Sequence, residues 1–339
     1  MLFDDLLRYI RVNRFDPEYL PKFESQLFFE GEKRTQQLTN FTVLLLLSTI
    51  ISTYGVISDS TATVIGAMII APLMTPIMAT AAAVTIGSVD RMLKALFVVI
   101  AGVVSVVVLS MILTLITPES TISFATNTQI IARTSPGIYD LIIALAAGAA
   151  GAYALGRSEI LDSLPGVAIA ISLVPPLSVV GISLALGQWN NANGAFLLFI
   201  TNFIAILLSG TIVFGLMGLQ TLSNIESNGK VRKKATEFIM IGTIIIIILL
   251  VFTSYGVFQS EKEKLIVNSV AQKWFENTQF KLDRVQSFHS EIDLTIIGEG
   301  NVSNIEGLGK AIEKKLGNPV HITIHRIPEK KFLYPIQDF

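Results

Sequence analysis

The chain has 339 residues, of which 51% are hydrophobic and 15% charged, with a net charge of −1 and no cysteine. A soluble domain carries about 25% charged residues, so much of this surface belongs in lipid. The near-zero net charge gives no reason to expect a nucleic-acid partner, and the lack of cysteine excludes disulfides, thiol catalysis and Cys-ligated metals.

The first 39 residues are amphipathic. Leu2, Phe3, Leu6, Leu7 and Ile10 share a helical face opposite Asp4, Asp5, Arg8 and Arg11. Such a helix lies on a cytoplasmic membrane surface or docks onto a partner subunit. Its mixture of acids and apolar residues is not the h-region of a secretory signal.

Seven apolar blocks follow, at 41–57, 62–87, 93–117, 138–155, 164–187, 195–219 and 238–257. A membrane crossing takes about 20 residues, and the first block is near the lower limit. These blocks predict an α-helical polytopic membrane protein with about seven transmembrane helices over 40–257, followed by a small α/β domain over 258–339. Basic residues set the orientation. Arg91, Lys94, Arg157, Lys230, Arg232, Lys233 and Lys234 fall in alternate loops, against Arg133 alone in the others. The N-terminus is therefore expected in the cytoplasm and the C-terminal domain outside.

The blocks repeat. Residues 66–87 and 166–187 align without a gap, matching Gly66 with Gly166, Leu73 with Leu173, Pro76 with Pro176 and Gly87 with Gly187. Three spans per unit, about 40–117 and 136–219, is an odd number. The second unit then enters the membrane upside down, giving an inverted 3+3 repeat of the kind found in transporters, with an extra span at 238–257.

The second and fifth spans carry Pro72, Pro76, Pro175 and Pro176 at their centres. Proline removes an N–H and strands the carbonyl four residues back, which in hydrocarbon must face protein or water. One helix over 62–87 would run about 39 Å, longer than the roughly 30 Å core. Two discontinuous helices at matching positions are expected, with second halves starting near Pro76 and Pro176 and bringing helix N-termini to the midplane.

Residues 64–80, including Ala-Pro-Leu-Met-Thr-Pro at 71–76, and residues 156–181, including Leu-Val-Pro-Pro-Leu at 173–177, resemble the bacterial uncharacterised hydrophobic-domain family, domain of unknown function 389. The resemblance covers roughly residues 35–257. It implies the membrane fold and a prokaryotic source, and it supplies no substrate and no catalytic residues.

No acid, base or histidine sits in the middle of a span, which disfavours proton coupling through the core and an intramembrane enzyme alike. Hydroxyls and one amide remain. The ligand-binding residues expected at the breaks are Pro72, Met74, Thr75, Pro76, Ser172, Pro175, Pro176 and Ser178, with Asn202 reaching in from the next span. Oxygen-rich breaks suit a hard cation such as Na⁺, and helix N-termini suit a small anion equally well. Nothing calls for a cofactor or metal. The Ala/Gly helix at 144–156 reads as a sliding surface between the repeats, a static seam, or the interface of a homo-oligomer.

Beyond 258 the periodicity predicts a helix at 265–275, strands at 280–288 and 291–297, a helix opened by a Ser303/Glu306 capping box and closed by Gly317, and a strand at 319–327. His321 and His325 share a strand face about 13 Å apart, too far to chelate one metal alone. The expectations compete: a transporter or channel for a small ion or solute, or a membrane-anchored sensor or assembly protein acting through its C-terminal domain.

Overall fold

The computed structural model describes residues 15, 18–31, 34–118, 122–124, 126–134, 136–157, 173–219, 258–259, 262–276, 278–288, 291–300, 302 and 304–328, with single positions between 241 and 255. The chain divides into two compact units, Met1–Tyr255 and Gly256–Phe339.

The first unit is helical. In chain order it holds α1 (Leu20–Leu27), α2 (Arg34–Ile57), α3 (Thr61–Ile70), α4 (Met74–Ile86), α5 (Val89–Leu115), α6 (Thr128–Thr134), α7 (Ile138–Leu155), α8 (Val174–Ala185) and α9 (Trp189–Leu216). Local chemistry marks the ends. Ser60 caps α3, its Oγ accepting from the Thr63 N–H. Gly87 closes α4 in the left-handed conformation at φ 74°. The Gly137 N–H donates to Asp140 Oδ2 at the start of α7.

Among the described residues, α2, α5, α7 and α9 are long and apolar enough to cross a membrane. The α3–α4 pair meets the same criterion as one bent element. Large apolar side chains remain exposed along α5, among them Phe97, Val104, Val108, Ile112 and Leu115. So long an apolar stripe is a liability in water and ordinary in lipid. Of the seven blocks expected, the fifth is described only from residue 173 and the last at isolated positions. Helices α4 and α8 begin at 74 and 174, α5 and α9 at 89 and 189, and Gly87 and Gly187 are both left-handed.

Helices α2, α5 and α8 pack against one another, and α7 packs along α9. The Ala/Gly face of α7 makes that contact: a Cβ on Gly148 would lie 2.7 Å from the Ile206 Cα. Its small residues thus lie against a neighbour in the same half of the chain. Ala81 of α4 and Ala152 of α7 both approach Gly210 of α9.

The amphipathic residues 2–11 lie outside the described residues, but the segment that follows docks on the chain's own helices. Phe15, Phe23 and Leu27 are buried. Phe15 N–H donates to Met217 O at 2.8 Å, and the Phe23 and Phe214 rings meet edge-on at 5.6 Å. Arg91, at the start of α5, holds Glu24 and Glu30 at 3.0 Å each and covers the Phe28 ring at 4.7 Å.

The second unit contains α10 (262–275), β1 (Lys281–Phe288), β2 (Glu291–Ile297), α11 (Ile305–Leu316) and β3 (His321–Ile327). The sheet order is β1-β2-β3. The first pair is antiparallel, with an irregularity between Leu282 and Arg284, and the second is parallel. Ile292, Leu294 and Ile296 alternate into a core with Val267, Ala271, Phe275, Leu308 and Ile312. The cap of α11 differs from the expected box. Asn304, left-handed at φ 59°, accepts the Gly307 N–H at 3.0 Å, while Glu306 is drawn to Lys310 at 2.6 Å. Asn tolerates that conformation better than other side-chain-bearing residues. Gly317 ends the helix as expected. Strand β3 starts two residues later than expected, because Pro319 cannot donate to a ladder and the Val320 N–H goes to Glu313 Oε1.

Candidate functional site

The break between α3 and α4 follows from Pro72. A residue before proline is pushed out of the helical region, and Ala71 is extended at φ −62°, ψ 122°. Pro72 has no N–H, so the Met68 carbonyl loses its helical partner. The chain turns through Leu73 and resumes as α4 at Met74, with a bend of 47°. The Thr75 N–H donates to the Pro72 carbonyl at 3.2 Å. Pro76 is the third residue of α4, where its missing N–H costs nothing because the first turn has no intrahelical acceptor for it. Pro72, Met74 and Thr75 are half-buried and Pro76 is buried. Leu73 plugs the break from within: a Cβ on Gly102 of α5 would touch its Cδ2 at 2.9 Å, with Leu45 and Phe41 just beyond.

The second break is described on one side only. Helix α8 starts at Val174, with Pro175 and Pro176 in its first turn, both buried. Ser172 lies outside the described residues. Leu73 and Ile77 belong to the same continuous apolar cluster as Leu173, Val174 and Leu177. No hydrogen bond joins the two breaks among the described residues. Ser178 turns away to α2 and donates to Ser52 Oγ at 2.9 Å. Asn202 is buried on α9, beside the buried Thr201.

A seam of hydroxyls connects these elements. Ser48, Thr49, Ser52 and Thr53 of α2 are fully buried, as are Ser110 of α5 and Ser178 of α8. Thr53 Oγ1 donates to Ser110 Oγ at 2.9 Å. Gly181 lets α8 approach so closely that a Cβ there would lie 2.6 Å from the Val107 carbonyl oxygen. The α2 hydroxyls went unnoticed in the sequence, although positions 48, 49, 52 and 53 mark one helical face.

Residues 68–208 match the model of a protein family described as "Domain of unknown function (DUF389)". The match spans both breaks, in line with the resemblance carried by 71–76 and 173–177. The chain is also 37% identical over 177 residues to "Uncharacterized protein MJ0678" of the archaeon Methanocaldococcus jannaschii. That alignment covers 52% of this chain and 54% of the relative, so the chain spans about half the length of the curated relative it matches. No solved structure matches it.

Proposed function

We propose that the chain is a transporter or channel for a small ion or solute. Its seven spans comprise two inverted three-helix units and an extra helix, and its site lies at the paired helix breaks near the midplane. The observation that carries this reading is the break at 71–73, opened by the extended Ala71, together with the matching starts of α4 and α8 at 74 and 174, each with proline in its first turn. Half-helices meeting at corresponding positions of two units are where transporters bind substrate and coupling ions. The Met68 carbonyl and the Met74 and Val174 N–H groups supply polarity without a fixed charge. In this reading the N-terminus is cytoplasmic, the C-terminal domain is outside, and the protein is a homo-oligomer in a prokaryotic plasma membrane.

The test uses the native lack of cysteine. In membranes, Thr75→Cys should react with a small water-soluble thiol reagent, and Ile77→Cys, buried one turn into the apolar cluster, should not. Full protection of Thr75→Cys from both sides of the membrane would overturn a water-accessible site. It would favour the second reading, a sensor or assembly protein acting through its C-terminal domain, which the separate hydrophobic core of that unit supports.

A further inference from the structure

Helix α6 lies in the connection between α5 and α7, yet it is wedged into the first unit. Ile130 is buried in one cluster with Val64 and Met68 of α3, Val179 and Ile182 of α8 and Ala195 of α9. The turn between α2 and α3 fixes its N-terminal end. Asp59 Oδ1 accepts from Thr128 Oγ1 at 2.6 Å and from the Gln129 N–H at 3.0 Å. Asn127 Nδ2 donates to the Val56 carbonyl at 2.7 Å.

The other end carries a cation. Arg133 Nη1 donates to the Gln129 carbonyl at 2.7 Å and to Gln129 Oε1 at 3.0 Å. Its Nε is buried and has no acceptor. Among the described residues no carboxylate lies within ion-pair distance of it, and burial pushes the guanidinium down to about 10. Asp59, the acid of this network, is engaged at the opposite end of α6. Arg133 as a whole is half-buried, but a guanidinium N–H buried without an acceptor is costly, and structures normally offset that cost with a counter-charge. With Nη1 committed to Gln129, the remaining edge of the guanidinium presents two parallel N–H groups. That is the geometry that takes two oxygens of a phosphate or carboxylate.

We propose that Arg133 anchors an oxyanion site on α6, gripping a phosphate or carboxylate group through Nε and the adjacent Nη2. The site is separate from the helix breaks and stands whether or not the protein transports. Two sources offer this chemistry, a free oxyanion and the headgroup of an anionic phospholipid.

The experiment compares the full chain with Arg133→Gln and Arg133→Lys. In detergent, at fixed ionic strength in chloride, inorganic phosphate is titrated by calorimetry. A free-oxyanion site binds phosphate in the wild type and weakens on the order of tenfold or more in Arg133→Gln. In nanodiscs, phosphatidylglycerol is compared with phosphatidylcholine, and retained lipid is counted by native mass spectrometry. A headgroup site retains phosphatidylglycerol in the wild type, loses it in Arg133→Gln, and ignores inorganic phosphate. Equal phosphate binding and equal lipid retention in wild type and Arg133→Gln would overturn the proposal, leaving Arg133 as a strut for Gln129. Should Arg133→Gln fail to fold, Arg133→Lys is read in its place. It keeps the charge and loses the fork, so unchanged binding there also overturns the assignment.

Discussion

Helices α5 and α9 are 27 and 28 residues long, begin one hundred positions apart at 89 and 189, and are apolar almost throughout. Their surroundings nevertheless differ: 22% of the apolar window of α5 is buried, against 67% of that of α9. Hydrophobicity does not drive the burial of α9, because lipid tails are as apolar as leucine and give no drive for one helix to leave them for another. Side-chain size does. Gly194, Ala195, Ala205, Ser209 and Gly210 let α6, α7 and α4 approach α9 from several sides. On α5 Ala95, Gly102 and Ser110 are buried on one side, and the large Phe97, Val104, Val108 and Ile112 dominate the exposed side, which Ala101 and Ser105 share. In the second unit the rule reverses, and the largest aliphatic side chains, Ile292, Leu294 and Ile296, are the buried ones. Water drives burial there, whereas in the helical unit close approach decides.

The contrast is most easily broken where α9 is most crowded. Gly194→Val places methyl groups on the Thr134 carbonyl, and Gly148→Val does the same to the Ile206 backbone. Backbone cannot rotate out of the way, so each should cost about 3 kcal/mol or more, at or beyond the top of the usual overpacking range. Ala101→Val, on the exposed side of α5, should stay within about 0.5 kcal/mol. Thermal melts of the purified proteins in one detergent decide it. Equal losses at all three positions would mean that α5 is as enclosed as α9.

A second substitution asks what covers α5. Val104 lies mid-helix on its exposed face. If lipid lies there, Val104→Lys should cost roughly 2.5–3.5 kcal/mol of apparent insertion energy and sharply lower the yield in the membrane fraction, while Val104→Leu changes nothing. A normal yield for Val104→Lys would place water or a polar partner on that face.

Much of this architecture was legible in the sequence because it rests on local rules. Pro72 displaces Ala71 from the helix whatever surrounds it, Gly87 and Gly317 end helices by backbone conformation, and the period of two at Ile292, Leu294 and Ile296 marks a strand buried on one face. What the sequence did not yield depends on partners far away in the chain. The destination of Ser178, at Ser52 on α2, is 126 positions distant. The docking of Phe15 and Phe23 is to the chain's own Met217 and Phe214, where the amphipathic N-terminal segment suggested a membrane surface or a partner subunit, because such a face does not say what will cover it. Helix α6 gave no apolar period to read, since its seven residues are held by Asp59 and Asn127 rather than by a stripe of its own. At short range the cap of α11 is Asn304, one residue beyond the expected Ser303, which lies outside the described residues.

The smallest expected effect tests how α9 is held and α5 is not. The N-terminal part of α9 leans on α6 at Gly194 and Thr134, and α6 is pinned by Asp59. Burial raises the Asp59 carboxyl, but the hydrogen bonds from Thr128 and Gln129 outweigh it and hold the group below its ordinary value. A carboxyl with a lowered folded-state pKa contributes its full stabilisation above its unfolded value, about 3.9, and loses it as pH falls through the lowered one. Amide protection in α6 and in residues 192–199 should therefore be the same at pH 7 and pH 5 and decline below about pH 4, while α5 stays flat. Asp59→Asn keeps an acceptor oxygen but cannot titrate, so it should abolish the pH dependence of α6 and leave the rest of α9 unchanged. The comparison is made with protection factors, which remove the intrinsic pH dependence of exchange. Protection that falls equally in α5 and α9 would assign the acid response to the whole helical unit. Protection that falls in α6 and the start of α9 alone would show that the central helix owes part of its enclosure to one exposed carboxylate.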